Sequence, residues 1–165
     1  MVGDPRSPET GIGPVVTAEA ASRIRNTCNE AISQGALLLS GNREESQESA
    51  TVPPRLYEVQ DSVADIWNEE LFGPVACLRV YETEDEAVGW ANQSRYGLSG
   101  SVWSSNKNRA LRAAQRLETG TVAVNSKKIL DFVAPFGGWG QSGIGRELGE
   151  EGFRSYLETR TILLP

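Results

Sequence analysis

Two short stretches of the chain carry groups that could do chemistry. The first is Asn68-Glu69-Glu70-Leu71-Phe72-Gly73-Pro74, two carboxylates and an aromatic ring at a Gly-Pro turn. A carboxylate there could accept hydrogen bonds from vicinal hydroxyls, and the adjacent Phe could pack on an aromatic heterocycle. The plainer alternative is a solvated charge pair ahead of a core Phe. The second stretch is Pro135-Phe136-Gly137-Gly138-Trp139-Gly140-Gln141-Ser142-Gly143-Ile144-Gly145-Arg146-Glu147-Leu148-Gly149, with six glycines. Glycine at that density implies backbone at positive φ or in close approach to another group. Phe136 and Trp139 make that group a pocket or a packed partner. Gly138 to Gly143 also fits the pattern G-x-G-x-x-G. The dinucleotide fingerprint requires a strand directly before it, a helix directly after it and a later strand with an acidic residue. Pro135 precedes this run, and one helix and one terminal strand follow it. A shaped loop against a pocket or subunit contact is the better reading.

The nucleophile inventory is short. There is no histidine, which removes Ser-His and Cys-His pairs and the commonest metal ligand. Cys28 and Cys77 match no zinc or redox spacing. Each lies in an apolar pattern, so each is expected to be a buried core thiol.

The elements that must position these groups follow from periodicity. Thr17 N-caps a helix from Ala18 to about Gln34, ended by Gly35, with Ala21, Ile24, Cys28, Ala31 and Ile32 on one face. Ala36 to Leu39 and Leu56 to Val59 read as strands around a polar surface loop, Gly41 to Pro54. Asp61 to Asn68 is connecting structure. Val75 to Val80 is nearly all apolar, as in a strand buried on both faces. Thr83 and Glu86 form a capping box for a helix to about Gln93. Gly100 to Trp103 is a strand, Lys107 to Glu118 a helix with Ala110, Leu111, Ala114 and Leu117 on one face, and Thr121 to Val124 a strand. This β-α-β-α-β order implies parallel pairing and an α/β fold, a mostly parallel sheet with flanking helices. Asn125 to Gly145 lacks periodicity and is long enough to be functional. A helix from about Arg146 to Leu157 and a strand from Thr159 to Leu164 finish the chain.

Composition bounds the function class. A chain of 165 residues, 39% apolar and 23% charged, is expected to be one domain, residues 1–165, with a real core. A net charge of −6 with no basic block argues against nucleic acid and anionic membranes as partners. No apolar run approaches the ~20 residues of a membrane span. No segment reads as a signal peptide, and free thiols fit a reducing, cytoplasmic setting.

Taken together, the motifs resemble the aldehyde dehydrogenase superfamily. They are Glu69-Glu70-Leu71-Phe72-Gly73-Pro74-Val75, Asn92 with Arg95-Tyr96-Gly97-Leu98, Gly120-Thr121-Val122 with Val124-Asn125, Pro135-Phe136-Gly137-Gly138, and Ser142-Gly143-Ile144-Gly145-Arg146-Glu147. Val2-Gly3-Asp4-Pro5 and Ile12-Gly13-Pro14 resemble the family segment shortly after its catalytic cysteine. The resemblance runs from about Val2 to Leu164 and corresponds to the last third or so of a full-length member, the C-terminal part of the catalytic domain.

The resemblance implies a parent reaction in which a cysteine thiolate attacks an aldehyde, hydride passes to NAD or NADP, and a glutamate-activated water releases the acid. In the family the nucleophile, the general base and the dinucleotide-binding strands lie upstream of the matching segment. No catalytic residue or metal ligand is therefore assigned here. The isolated chain is expected to be inactive and to bind the cofactor weakly or not at all. Glu70 matches the family glutamate on the nicotinamide ribose, and Phe72 the phenylalanine beside the nicotinamide. Phe136 matches an aromatic near the substrate entrance, and Asn125 lies at the strand end leading there. The strand at about 159–164 resembles the family's oligomerisation strand. The implied partners are a small aldehyde in the parent and either a second copy or an upstream segment of the same enzyme. A non-catalytic module serving in oligomer or partner assembly is the alternative. Two departures stand out: Gly140 stands where the family usually has Lys, and the Glu/Ser-rich loop before Pro53 is atypical.

Overall fold

The structure is a computed structural model that describes residues 2–41, 50–60 and 64–165. The chain divides into two compact units, Met1–Val80 and Tyr81–Pro165. Most of the polar loop before Pro53 lies outside the described residues.

The first unit is built on α1 (Ala18–Ser33). The Thr17 hydroxyl accepts from the Ala20 N–H at 3.1 Å, satisfying one of the helix's orphan donors. Gly35 at φ 103 ends the helix, as its place after the apolar pattern required. The expected stripe is the buried one: Ala21, Ile24 and Cys28 are fully buried, and Ala31 nearly so. It packs on β1 (Leu37–Ser40), β2 (Arg55–Glu58) and the short helix α2 (Ala64–Asn68), with Val52, Tyr57, Val59 and Ile66 completing the core. β1 pairs antiparallel with β2, and β2 pairs parallel with β3 (Val75–Leu78), placing Tyr57 opposite Cys77. Asp61 to Asn68, expected as irregular connection, contains α2 in its described part.

One expectation for β3 fails. Val75 and Cys77 are half-buried, but Ala76 and Leu78 are exposed. Alternate side chains of a strand point to opposite faces, and the described core of this unit covers one face of its sheet. The near-continuous apolar run therefore marks a strand buried on one side.

The second unit opens with α3 (Glu84–Asn92). Its capping box is complete: the Thr83 hydroxyl accepts from the Glu86 N–H at 3.3 Å, and the Glu86 carboxylate accepts from the Thr83 N–H at 3.0 Å. β5 (Ser99–Val102), α4 (Lys107–Ala114) and β6 (Thr121–Val124) form a strand-helix-strand unit with β5 and β6 parallel. Ala110, Ala113, Ala114 and Ala123 are buried between helix and sheet. α4 is shorter than expected, and Leu111 is half exposed while Ala113 takes the inner position. Two-residue strands β4 (Tyr96–Gly97) and β7 (Trp139–Gly140) pair antiparallel. The structure thus mixes parallel pairs with helical cover in an α/β arrangement.

The last helix also differs. α5 (Gly149–Arg154) starts three residues later than expected, because Leu148, at φ 60, interrupts the right-handed helical backbone just before it. Phe153, Tyr156 and Leu157 are exposed. Residues 159–164 form no strand pairing within the described chain, and Ile162, Leu163 and Leu164 lie open to solvent.

Candidate functional site

In the first unit, the turn after α2 presents the acidic-aromatic stretch. The Arg55 N–H donates to the Pro74 carbonyl at 3.0 Å, pinning the Gly-Pro turn to β2. Gly73 lies so close to α1 that a Cβ there would meet Ile24 Cδ1 at 2.7 Å, so any larger residue would have to displace the buried Ile24 side chain. Phe72 has φ 54, a conformation costing a bulky residue roughly 1–2 kcal/mol. Its ring is 75% exposed, so the strain is not exchanged for burial. Strain of this kind clusters at ligand sites. Glu70 is exposed and has neither a hydrogen-bond nor an ion-pair partner among the described residues, leaving both carboxylate oxygens open to hydroxyl donors. Glu70, Phe72, Trp67 and Cys77 line one open depression of about 470 Å³. The two residues assigned to the cofactor are thus brought together, and Phe72 is not the core residue of the plainer alternative.

The thiols behave as buried groups. Cys28 is fully buried in the core. Cys77 is half-buried and donates to the Ile66 carbonyl at 3.5 Å. Burial, reinforced by the neighbouring Cys28, pushes its thiol up to about 11. Near neutral pH such a thiol is protonated and a poor nucleophile.

In the second unit, Asn125 and Phe136 take different parts. Asn125, at φ 50, follows β6 and turns its amide onto Ser104: Oδ1 accepts from the Ser104 N–H at 2.8 Å, and Nδ2 donates to its carbonyl at 2.9 Å. Phe136 is half-buried, and its backbone exchanges two 2.7 Å hydrogen bonds with Glu147. Its ring lines a depression of about 340 Å³ with Thr121, Lys128 and Asp131, where Asn125 is not among the lining residues. Asn125 follows the end of β6, whereas the depression at Phe136 lies by its start, at Gly120 and Thr121.

The glycine run is held as a ribbon rather than a phosphate loop. Trp139 and Gly140 pair with Gly97 and Tyr96, and no helix begins before Gly149. The dinucleotide pattern at Gly138–Gly143 therefore lacks the helix N-terminus its chemistry needs. Two residues that sequence reasoning missed fasten the ribbon. Ser142 Oγ accepts from the Gly97 N–H at 3.0 Å, and Arg146 Nη1 donates to the carbonyls of Gly138 at 3.0 Å and Gly145 at 2.6 Å. A glycine-rich loop has carbonyls without side-chain donors nearby, so a long cationic donor next to it was the available signal.

A 3-succinoylsemialdehyde-pyridine dehydrogenase of a Pseudomonas species is 39% identical over 99% of this chain and 35% of its own length. A succinate-semialdehyde dehydrogenase [NADP(+)] of Deinococcus radiodurans is 39% identical over 97% of this chain and 34% of its own. Among solved structures, a succinic semialdehyde dehydrogenase from Streptococcus pyogenes in complex with NADP+ superposes with a TM-score of 0.86 at 35% identity, over 99% of this chain and 36% of that one. A Mycobacterium tuberculosis aldehyde dehydrogenase complexed with NAD+ gives 0.85 at 36% identity, over 99% and 34%. The chain spans about a third of the length of these relatives. Since residues 1–162 match the model of the aldehyde dehydrogenase family, nearly the whole sequence, with both the acidic-aromatic turn and the glycine ribbon, belongs to that family.

Proposed function

We propose that this chain supplies the nicotinamide-facing turn and one wall of the substrate entrance in an NAD(P)-dependent oxidation of an aldehyde to a carboxylic acid. Glu70 accepts the ribose hydroxyls, Phe72 packs beside the nicotinamide, and Phe136 borders the aldehyde's path. The observation that carries this reading is the unpartnered Glu70 carboxylate beside a strained, outward-facing Phe72 ring in one depression. Asn125 acts by holding the β5–β6 end in place, since both polar atoms of its amide are engaged by Ser104.

The thiolate that attacks the aldehyde, and the base that activates water, come from residues outside this sequence. The raised Cys77 thiol and the sealed Cys28 support that assignment. The chain by itself is then inactive, and its setting is a reducing cytoplasm. The alternative, a non-catalytic module in assembly, draws on the apolar residues left open at 162–164 and on β3.

The deciding experiment measures NAD(P)H formation from succinic semialdehyde, by this chain alone and by this chain mixed with the N-terminal two thirds of a homologous dehydrogenase. Turnover in the mixture that falls with Glu70→Ala supports the catalytic reading. Turnover by the chain alone contradicts the assignment of the nucleophile elsewhere. Stable association without turnover favours the assembly reading.

A further inference from the structure

The second unit holds a hollow of about 310 Å³ between α3, α4 and the end of β5 that takes no part in the function above. Its walls are made small by composition. Ala87 and Ala91 line it from α3 and Ala110 and Ala113 from α4, and the larger lining residues Tyr81, Val102 and Leu117 leave the space between these alanines open. The lining joins apolar side chains with Glu84, Ser101, Ser104 and Arg109, which suits a ligand with an apolar body and a charged end, and a closed apolar cavity of about half this size holds a benzene ring. The volume lies at the low end of small-molecule sites.

The rim is polar and oriented. The Trp103 indole N–H donates to Ser101 Oγ at 3.3 Å, which fixes the ring while leaving it 58% exposed. Arg109 is gripped by one atom: its Nε donates to Glu84 Oε2 at 2.9 Å. Its two terminal nitrogens have no partner among the described residues. Glu84 therefore orients the guanidinium, and the outer edge remains as a two-pronged donor suited to a carboxylate. Arg116, paired with Asp85 and 3.8 Å from Glu84, offsets the acidic charge nearby.

We propose that this hollow binds a small aromatic monocarboxylate, with its ring among the alanines and against Trp103 and its carboxylate on the free edge of Arg109. Such a ligand belongs to the class of acids that the proposed oxidation releases. Binding needs neither turnover nor cofactor, so failure of that functional reading would leave this one standing, and the reverse.

The test is an amide and indole N–H chemical-shift titration of the whole chain with benzoate, run beside acetate (charge without ring) and benzyl alcohol (ring without charge). Saturable shifts confined to α3, α4 and the Trp103 indole are expected from benzoate below about 10 mM, with both controls at least tenfold weaker. Arg109→Gln removes an exposed ion pair, keeps the fold and weakens benzoate about tenfold. Ala113→Leu fills the hollow and abolishes binding while the melting temperature holds or rises. Shifts of equal size from acetate, shifts scattered over the surface, undiminished binding by Arg109→Gln, or no saturation would each overturn the proposal.

Discussion

Asn125 and Ser104 form a closed pair in which one side-chain amide satisfies both backbone groups of one residue, at 2.8 and 2.9 Å. The pair locks the loop after β5 to the exit of β6 and holds Asn125 at φ 50, a region Asn tolerates better than most residues. Asn125→Ala loses both hydrogen bonds and adds backbone strain. It is expected to lower unfolding stability by about 2 kcal/mol, and Asn125→Gly, which relieves the strain, by about 1 kcal/mol. Urea unfolding of the two variants checks the order. Equal losses would mean that the side chain, and not the backbone, carries the whole effect.

Gly140 lies at φ 56, and a Cβ there would meet the Arg95 carbonyl at 2.5 Å. Gly140→Lys, the residue usual in the family, is expected to destabilise this chain by about 1–3 kcal/mol. A denaturation midpoint at or above that of the parent would show that the β4–β7 ribbon can shift to admit a side chain.

Alkaline pH should weaken the first unit in a defined window. Burial, then Cys28, pushes the Cys77 thiol from its ordinary 9.0 to about 11, and burial, then Cys28, pushes the Tyr57 hydroxyl from 10.0 to about 12. Both groups are neutral when protonated, so above pH 9 the unfolded chain gives up protons that the folded chain retains. Stability present below pH 9 is therefore lost as pH rises, through about 11 for Cys77 and about 12 for Tyr57. Urea midpoints measured from pH 7 to 11 should be flat at first and then fall. Cys77→Ala should blunt the earlier part of the fall, and an unchanged profile would contradict the assigned group.

Tyr57 is fully buried, and its hydroxyl has no hydrogen-bond partner among the described residues. Tyr57→Phe should leave stability at pH 7 unchanged or raise it by about 1 kcal/mol, since it removes an unsatisfied buried oxygen and keeps the packing. A loss above that size by calorimetry would reveal a partner for the hydroxyl.

Weak cofactor binding and self-association are expected of the chain by itself. Calorimetric titration with NAD+ should give no micromolar affinity, because the phosphate-binding elements expected in the family lie outside this sequence. Sedimentation at tens of micromolar should show dimers or larger species, given the open apolar residues Leu78, Ile162, Leu163 and Leu164. A monomer over that range would remove the basis for the assembly reading.

Local rules were enough for much of this protein. Thr17, the Thr83–Glu86 box and Gly35 set helix ends because capping uses groups within three or four residues of one another. The stripe through Ile24 and Cys28 marked the buried face of α1 because helical spacing alone aligns it. The motifs around Glu70, Phe72 and Phe136 were legible for the same reason: each is a contiguous run. What a run cannot express is what its side chains meet. Leu78 reads as core by composition, and only the sheet's one-sided cover leaves it exposed. The glycine run reads as a shaped loop against a pocket or a packed partner, and folding made that partner the Tyr96–Gly97 strand. The free edge of Arg109, the strained Phe72 and the engaged amide of Asn125 depend on residues distant in sequence or on backbone angles set by packing. The sequence by itself determined the bounds of α1 and α3, the places of β1, β2, β3, β5 and β6, and the family the chain comes from. Tertiary structure decided which of the polar groups are occupied and which remain open to a ligand, because that outcome depends on neighbours brought together by folding.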